Sequence, residues 1–97
     1  MLGTFQFYIR REPSRDFLIE KLGEPIFETL GRVAYIMCYE TDVGLVNELV
    51  MTMKLLGQDF LLEQFSDEYG WKLLFPPEQT WISDNRMSDF LRREGGF

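Results

Sequence analysis

A nine-residue segment in the middle of the chain is apolar on both of its alternating faces. Residues 32–40 read Arg-Val-Ala-Tyr-Ile-Met-Cys-Tyr-Glu and are rich in side chains with high β-propensity. A strand with this composition has no polar face to present to water. The segment therefore predicts a central strand that is buried on both sides, within a larger sheet.

The segment before residue 24 predicts one strand followed by one helix. Residues 5–9 alternate apolar and polar side chains, which is the period-two pattern of a half-buried strand. Pro13 and Ser14 then open a predicted helix that runs through Leu22 and stops at Gly23.

Residues 24–31 fit two interpretations. Ile26 to Leu30, followed by Gly31, is compatible with a strand that turns into the central strand. Pro25 at the first position and Gly31 after the last position equally frame a two-turn helix. The strand interpretation gives the order β-α-β-β-α-α-β-α, and the helix interpretation gives a three-stranded sheet with more helical cover. We favour the strand.

Two helices are predicted after the central strand. The first begins at Thr41 or Asp42 as its N-cap and ends at Gly57. It carries an unbroken apolar stripe made of Leu45, Val46, Leu49, Val50, Met53 and Leu56. Residues 59–69 are also predicted as a helix. On a helical wheel their apolar side chains share one arc of ~100°, and their acids stack on another face. The apolar set is Leu61, Leu62, Phe65 and Tyr69, and the acidic stripe is Asp59, Glu63 and Asp67.

The C-terminal part predicts a short strand and a last helix. Residues 71–75 form the strand, which Pro76 and Pro77 terminate. Ser83 caps the final helix. The predicted fold is thus a single α+β domain over residues 1–97. It has a mainly antiparallel sheet of three or four strands, with helices packed on it. The predicted strand order is the ferredoxin-like split β-α-β order, and a C-terminal helix is added.

Composition excludes several functional classes. The chain has no histidine and a single cysteine, Cys38. Histidine-based nucleophile pairs and zinc sites built from cysteine and histidine are therefore impossible. No apolar run approaches the ~20 residues that cross a bilayer, and no secretory signal pattern is visible. We expect a cytoplasmic protein that is not an enzyme, binds no cofactor or metal, and contacts neither membrane nor nucleic acid directly.

The negative charge is concentrated in one region. The chain has a formal net charge of -6, and residues 33–71 carry seven acids against one base, Lys54, while both flanking segments are neutral. A regional field of this kind attracts a basic partner. The predicted partner-binding residues are Glu40, Asp42, Glu48, Asp59, Phe60, Glu63, Asp67 and Glu68, with Phe60 as an exposed aromatic contact.

These features favour a small acidic module for protein-protein interaction. Basic grooves mostly hold nucleic acid, so a protein that fills one acts as an inhibitor of a nucleic-acid-binding protein. Phage counter-defence proteins, including anti-CRISPR proteins, and immunity proteins work in this way as classes, and the analogy rests on size and charge alone. The alternative is a small regulatory or metabolite-binding α+β domain, possibly dimeric. The oligomeric state is left open.

Overall fold

The computed structural model of the chain describes residues 1–31 and 34–75, so the predicted helix that begins at Ser83 lies outside the described residues. The elements are β1 (Leu2–Ile9), α1 (Glu12–Leu22), β2 (Phe27–Leu30), β3 (Tyr35–Asp42), α2 (Val43–Leu55), β4 (Phe60–Ser66) and β5 (Gly70–Phe75). One five-stranded sheet has the order β2-β3-β1-β4-β5, and every neighbouring pair is antiparallel. The predicted α+β class is confirmed, with one strand more than expected.

Most of the predicted elements before residue 59 are confirmed. The strand interpretation of residues 24–31 is correct, because β2 pairs with β3. Helix α1 ends before Gly23, whose φ of 83° lies in the region that favours glycine. Asp42, rather than Thr41, caps α2, since its carboxylate accepts a hydrogen bond of 3.1 Å from the backbone N–H of Leu45.

The predicted helix over residues 59–69 is wrong. Residues 60–66 form β4, which pairs with β1 on one side and with β5 on the other. The four residues from Phe60 to Glu63 are all buried, on both faces of the sheet. A strand buried on both faces shows no period-two alternation, so its apolar run resembles part of a buried helix.

Both helices pack on the same face of the sheet, and the larger part of the core lies between the helices and that face. Tyr39 illustrates the packing: its ring meets Phe7 edge to face at 6.0 Å between centroids, and its hydroxyl donates to the carbonyl of Gly23 at 2.9 Å. Burial raises the pKa of Tyr39 to about 12. The cluster comprises Phe5, Phe7, Ile9, Leu18, Met37, Tyr39, Val46, Leu49, Val50, Met53, Phe60 and Leu62.

The opposite face of the sheet is also buried at its centre. Tyr8, Ile36 and Leu61 are fully inaccessible there, and the polar side chains Gln6 and Glu63 lie beside them. The strand predicted at residues 32–40 is β3, an interior strand that Ile36 and Met37 bury on both faces, but the central strand of the sheet is β1. On the face opposite the helices, polar side chains hydrogen-bond to one another in the interior, whereas the Tyr39 hydroxyl on the helical face bonds to the backbone.

Candidate functional site

Four exposed acids lie at one end of the sheet, because β3 and β4 run in the same direction and end there. The register pairs Asp42 with Leu2 and Gln64 with Phe5, so β3 and β4 both end where β1 begins. Glu40 and Asp42 lie at the end of β3, and Asp67 and Glu68 lie in the turn after β4. Only β1 separates the two strands, which places the two pairs roughly 10 Å apart across the sheet. We call Glu40, Asp42, Asp67 and Glu68 the acidic end.

The turn between β4 and β5 is built by two residues at its base. The hydroxyl oxygen of Ser66 accepts hydrogen bonds from the backbone N–H groups of Glu68 and Tyr69, at 3.2 and 3.0 Å. Gly70 closes the turn with a φ of 71°. This geometry projects Asp67 and Glu68 into solvent and leaves Tyr69 76% exposed beside them.

Asp42 has structural partners as well as an exposed position. Its carboxylate accepts from the amino group of Met1 at 3.0 Å and from the backbone N–H of Leu45. These hydrogen bonds, that of the amino group above all, hold the pKa of Asp42 below its usual range. Part of its charge is thus offset by the amino group, which makes Glu40, Asp67 and Glu68 the stronger contributors to the field of the acidic end.

Glu48 lies away from the acidic end, on the exposed side of α2. It borders a shallow groove of about 210 Å³ between the two helices. The other lining residues are Phe17, Lys21, Leu45, Leu49 and Thr52. A neighbouring base, Lys21, makes this region less negative than the acidic end.

Three of the predicted partner-binding residues are buried or half-buried rather than exposed. Phe60 is only 4% exposed and belongs to the core, so its predicted role as an exposed contact is wrong. Glu63 is only 3% exposed. Asp59 is half-buried at the opposite end of the sheet, where it lines a cavity with Arg10 and Arg11. The stripe of Asp59, Glu63 and Asp67 does not exist, because Glu63 is buried within β4, whereas Asp59 precedes the strand and Asp67 follows it, at opposite ends of the sheet.

Glu63 instead belongs to a buried polar cluster with Tyr8 and Gln6. The Tyr8 hydroxyl oxygen lies 2.7 Å from a carboxylate oxygen of Glu63 and 3.0 Å from the amide oxygen of Gln6. One hydroxyl hydrogen cannot fill both contacts. The second hydrogen comes either from a protonated Glu63 or from the amide group of Gln6 turned about its axis. Burial raises the pKa of Glu63, which favours the protonated carboxyl group.

Tyr69 and the buried cluster were not among the residues predicted from local sequence patterns. The signal for Tyr69 is the sequence Ser-Asp-Glu-Tyr-Gly between two β-rich runs, which is typical of a hairpin turn. The buried cluster leaves a fainter signal. A single acid, Glu63, follows three consecutive apolar residues, and nothing in that pattern names Tyr8 as its partner.

Within residues 1–31 and 34–75, no group of three or more acidic or cysteine side chains is arranged to hold a metal ion. No helix in the same part of the chain is long and apolar enough to cross a membrane. Comparison with protein-family models, with curated proteins and with solved structures finds no match to this chain.

Proposed function

We propose that this chain is a small, non-enzymatic interaction module that inhibits a nucleic-acid-binding protein by occupying its basic groove. The observation that carries this proposal is the convergence of the acidic end. Acids from the end of β3 and from the β4–β5 turn lie side by side, exposed to solvent. Carboxylates spaced along a surface can occupy the positions that phosphates take in such a groove, and their field speeds the encounter with a basic partner.

The hairpin supplies an apolar contact next to these charges. Tyr69 is 76% exposed at the tip, and Phe65, 41% exposed, meets the ring of Trp71 edge to face at 5.3 Å between centroids. Aromatic side chains dominate the binding energy of many protein interfaces. The acidic end with Tyr69 therefore combines long-range attraction with a short-range anchor. We place this function among the inhibitors of the phage counter-defence type, which include anti-CRISPR proteins, or of the immunity-protein type, with action in the cytoplasm.

The finer fold assignment is part of the same proposal. Over residues 2–66 the elements follow the order β-α-β-β-α-β, and β1 lies between β3 and β4. This order supports a ferredoxin-like split β-α-β arrangement with β5 added at the edge. An experimental structure in which β1 does not separate β3 from β4 would remove this assignment.

The alternative, a regulatory or metabolite-binding domain, has weaker support. Three concavities lined by described residues measure about 270, 270 and 210 Å³. Most small-molecule sites enclose ~300–1,000 Å³ and bury most of the ligand. The acidic end is the more prominent surface feature.

Matched charge reversals test the proposed function. One variant changes Glu40, Asp67 and Glu68 to Lys, and the control changes Glu12, Asp16 and Glu20, three exposed acids of α1, to Lys. Both variants alter the net charge equally. Each is used to capture partners from lysate, and the captured protein is identified, purified and assayed for nucleic-acid binding with and without the chain.

We expect the acidic-end variant to lose the partner and its inhibition, and the α1 variant to retain both. Surface charge substitutions usually change the free energy of unfolding by only ~0.5 kcal/mol each, so folding should survive in both. Equal loss in the two variants, or a partner with no basic nucleic-acid site, would contradict the proposed function.

A further inference from the structure

Strand β2 forms one edge of the sheet, and no strand of the described residues lies beyond it. Ile26, Phe27 and Leu30 are exposed along this edge, at 68%, 52% and 69% of their surface. Natural edge strands are usually protected by short length, charged side chains, proline or a bulge. β2 has only four residues, and a bulge marks its start, since the N–H of Ile26 donates to the carbonyl of Cys38, the register partner of Phe27. From Glu28 to Leu30 the edge is regular, contains no lysine or proline, and has its one charge paired with Arg15. This short stretch with apolar side chains beside it is suited to pairing with another strand.

The backbone hydrogen bonds define which groups of β2 face outward. The N–H of Gly31 donates to the carbonyl of Ala34 at 2.9 Å, so Gly31 is directed toward the β3 side. Directions alternate along a strand, so Thr29 also faces β3, and Glu28 and Leu30 face the open side. If a second β2 lies antiparallel and centred on Thr29, each Glu28 stands opposite the second copy's Leu30. About four backbone hydrogen bonds then form across the twofold axis.

The charges near β2 are compatible with a second copy of the same chain. Glu28 is the one charged residue of the strand, and its carboxylate accepts two hydrogen bonds from Arg15, one of them 2.8 Å long. Pairing of two β2 strands about the twofold axis therefore places no unpaired like charges next to each other. Antiparallel pairing also sets the acidic end of each copy beside the opposite end of its neighbour, where the exposed Arg11 precedes α1.

We propose that β2 is a homodimerisation edge, at which two copies pair antiparallel about Thr29 and extend the sheet across the dimer. The second copy is the occupant that fits best, because both the register and the charge pattern are complementary to themselves. The dimer does not depend on the proposed function. It would carry its two acidic ends at opposite corners, each open to a separate partner.

A disulfide at the twofold axis tests the register directly. Thr29 would form a non-hydrogen-bonded pair with its symmetry mate, with Cα atoms ~4.5 Å apart, which a disulfide can bridge. The variant Thr29→Cys is made together with Cys38→Ser, since Cys38 lies on the adjacent strand. The control is Leu55→Cys in the same background, at a site 86% exposed on α2. We expect mild oxidation to join the Thr29→Cys chains far more completely than the control chains.

A proline on the outer side of β2 tests the backbone pairing. Edge strands accept proline where the N–H faces solvent, so Leu30→Pro should preserve the β2–β3 ladder. Because Leu30→Pro removes one outward-facing backbone N–H from each copy, the dimer dissociation constant should rise about tenfold or more. Leu30→Ala, which keeps the N–H, should have a smaller effect. Sedimentation velocity over a range of concentrations measures both, and circular dichroism confirms folding.

Two results would overturn the dimer. One is a wild-type chain that stays monomeric up to high micromolar concentration. The other is equal cross-linking of the Thr29→Cys and Leu55→Cys variants, which would mean that chains collide without a defined register. Because the cysteine variants retain the wild-type edge backbone, the test stands even if Leu30→Pro fails to fold.

Discussion

Glu63 is the residue whose chemistry departs most from its ordinary behaviour. It is 3% exposed, its carboxylate contacts the Tyr8 hydroxyl, and Leu73 is paired with it on β5. A charged carboxylate in such surroundings loses most of its hydration, which is why burial raises the pKa of Glu63. The same burial, together with the charge of Glu63, raises the pKa of Tyr8 far above its usual range. The cluster thus favours neutral side chains.

The raised pKa of Glu63 predicts a loss of stability on the alkaline side. The native state binds the carboxyl proton more tightly than the unfolded state does. This contribution is complete below the ordinary glutamate pKa and is lost as the pH rises through the native pKa. Glu63→Gln keeps a neutral donor for Tyr8 and cannot ionise. Urea unfolding at a series of pH values should therefore show the variant gaining stability relative to the wild type as the pH rises.

Tyr8→Phe is the control for the hydrogen bonds themselves. It leaves the buried polar atoms of Gln6 and Glu63 without the hydroxyl, which should cost about 1–3 kcal/mol of unfolding free energy. Profiles of wild type and Glu63→Gln that remain parallel over the whole pH range would show that the pKa of Glu63 is the same in the native and unfolded states. The second hydrogen of the cluster would then come from a turned amide of Gln6.

At the scale of elements, α1 is attached to the edge strand β2 by one ion pair. The guanidinium group of Arg15 donates to both carboxylate oxygens of Glu28 and lies over the ring of Tyr35, 5.6 Å from its centroid. The hydrogen bonds from Arg15 lower the pKa of Glu28. A planar fork fits this arrangement, and an ammonium group does not.

Arg15→Lys should therefore destabilise the fold measurably in urea unfolding, although the charge is conserved. The pH dependence has the opposite sign to that of Glu63. Because the native pKa of Glu28 is lowered, its contribution is present above the ordinary glutamate pKa and disappears as the pH falls through the native value. Acid titration of stability should show a smaller loss in Glu28→Gln than in the wild type. Equal losses would mean that the pair contributes nothing to folding.

The β4–β5 turn depends on the backbone of Gly70. Its φ of 71° is strained for other residues, and a Cβ there would meet nothing within 4 Å. The expected cost of Gly70→Ala, about 1–2 kcal/mol, is therefore conformational rather than steric. Gly70→Asn should cost less, since asparagine tolerates the left-handed region. Urea unfolding of the two variants measures the difference, and equal costs would point to a steric cause instead.

The elements differ in how much the sequence alone could predict. The strand at residues 5–9 and the helix ends at Asp42 and Gly23 followed from local rules, but the prediction that this strand is half-buried is wrong, because residues 5–9 are buried on both faces of the sheet. Residues 59–69 did not follow from local rules, since β4 is buried on both faces and its apolar residues also fit a helical arc. The turn residues Ser66 and Gly70 were the overlooked local evidence. The grouping of Glu40 with Asp67 needs the order of strands, which is a long-range property that no local pattern encodes.

At the scale of the whole molecule, the exposed acids of residues 33–71 lie mainly at one end of the sheet. The two ends of the sheet therefore differ in charge. The acidic end contains the exposed acids of β3 and of the β4–β5 turn, and Arg10 and Arg11 lie at the other end. Such an asymmetry produces a field that orients the protein as it approaches a basic surface. Orientation of this kind acts on the rate of association more than on the lifetime of the complex.

For this reason the association rate with a basic partner should fall steeply as salt is added, because the Debye length shrinks to ~8 Å at physiological ionic strength. Stopped-flow or surface-based kinetics at several salt concentrations measures the slope. The variant with Glu40, Asp67 and Glu68 changed to Lys should show a much shallower slope than the α1 control variant. Identical slopes would show that the acidic end does not steer binding.

The hydrogen bonds among Tyr8, Gln6 and Glu63 also limit how this sequence can diverge. Replacement of Tyr8 by phenylalanine in a related sequence would leave the buried carboxyl group of Glu63 without its hydrogen-bond partner. A change of Glu63 to an apolar residue should then follow. Gln6 would also be free to change, because the hydroxyl that it contacts would be gone. The same holds if Glu63 changes first, because the buried Tyr8 hydroxyl would then lose its partner. Among natural variants, positions 6, 8 and 63 are therefore expected to change together, whereas the acids of the turn at 67 and 68 are free to vary one at a time.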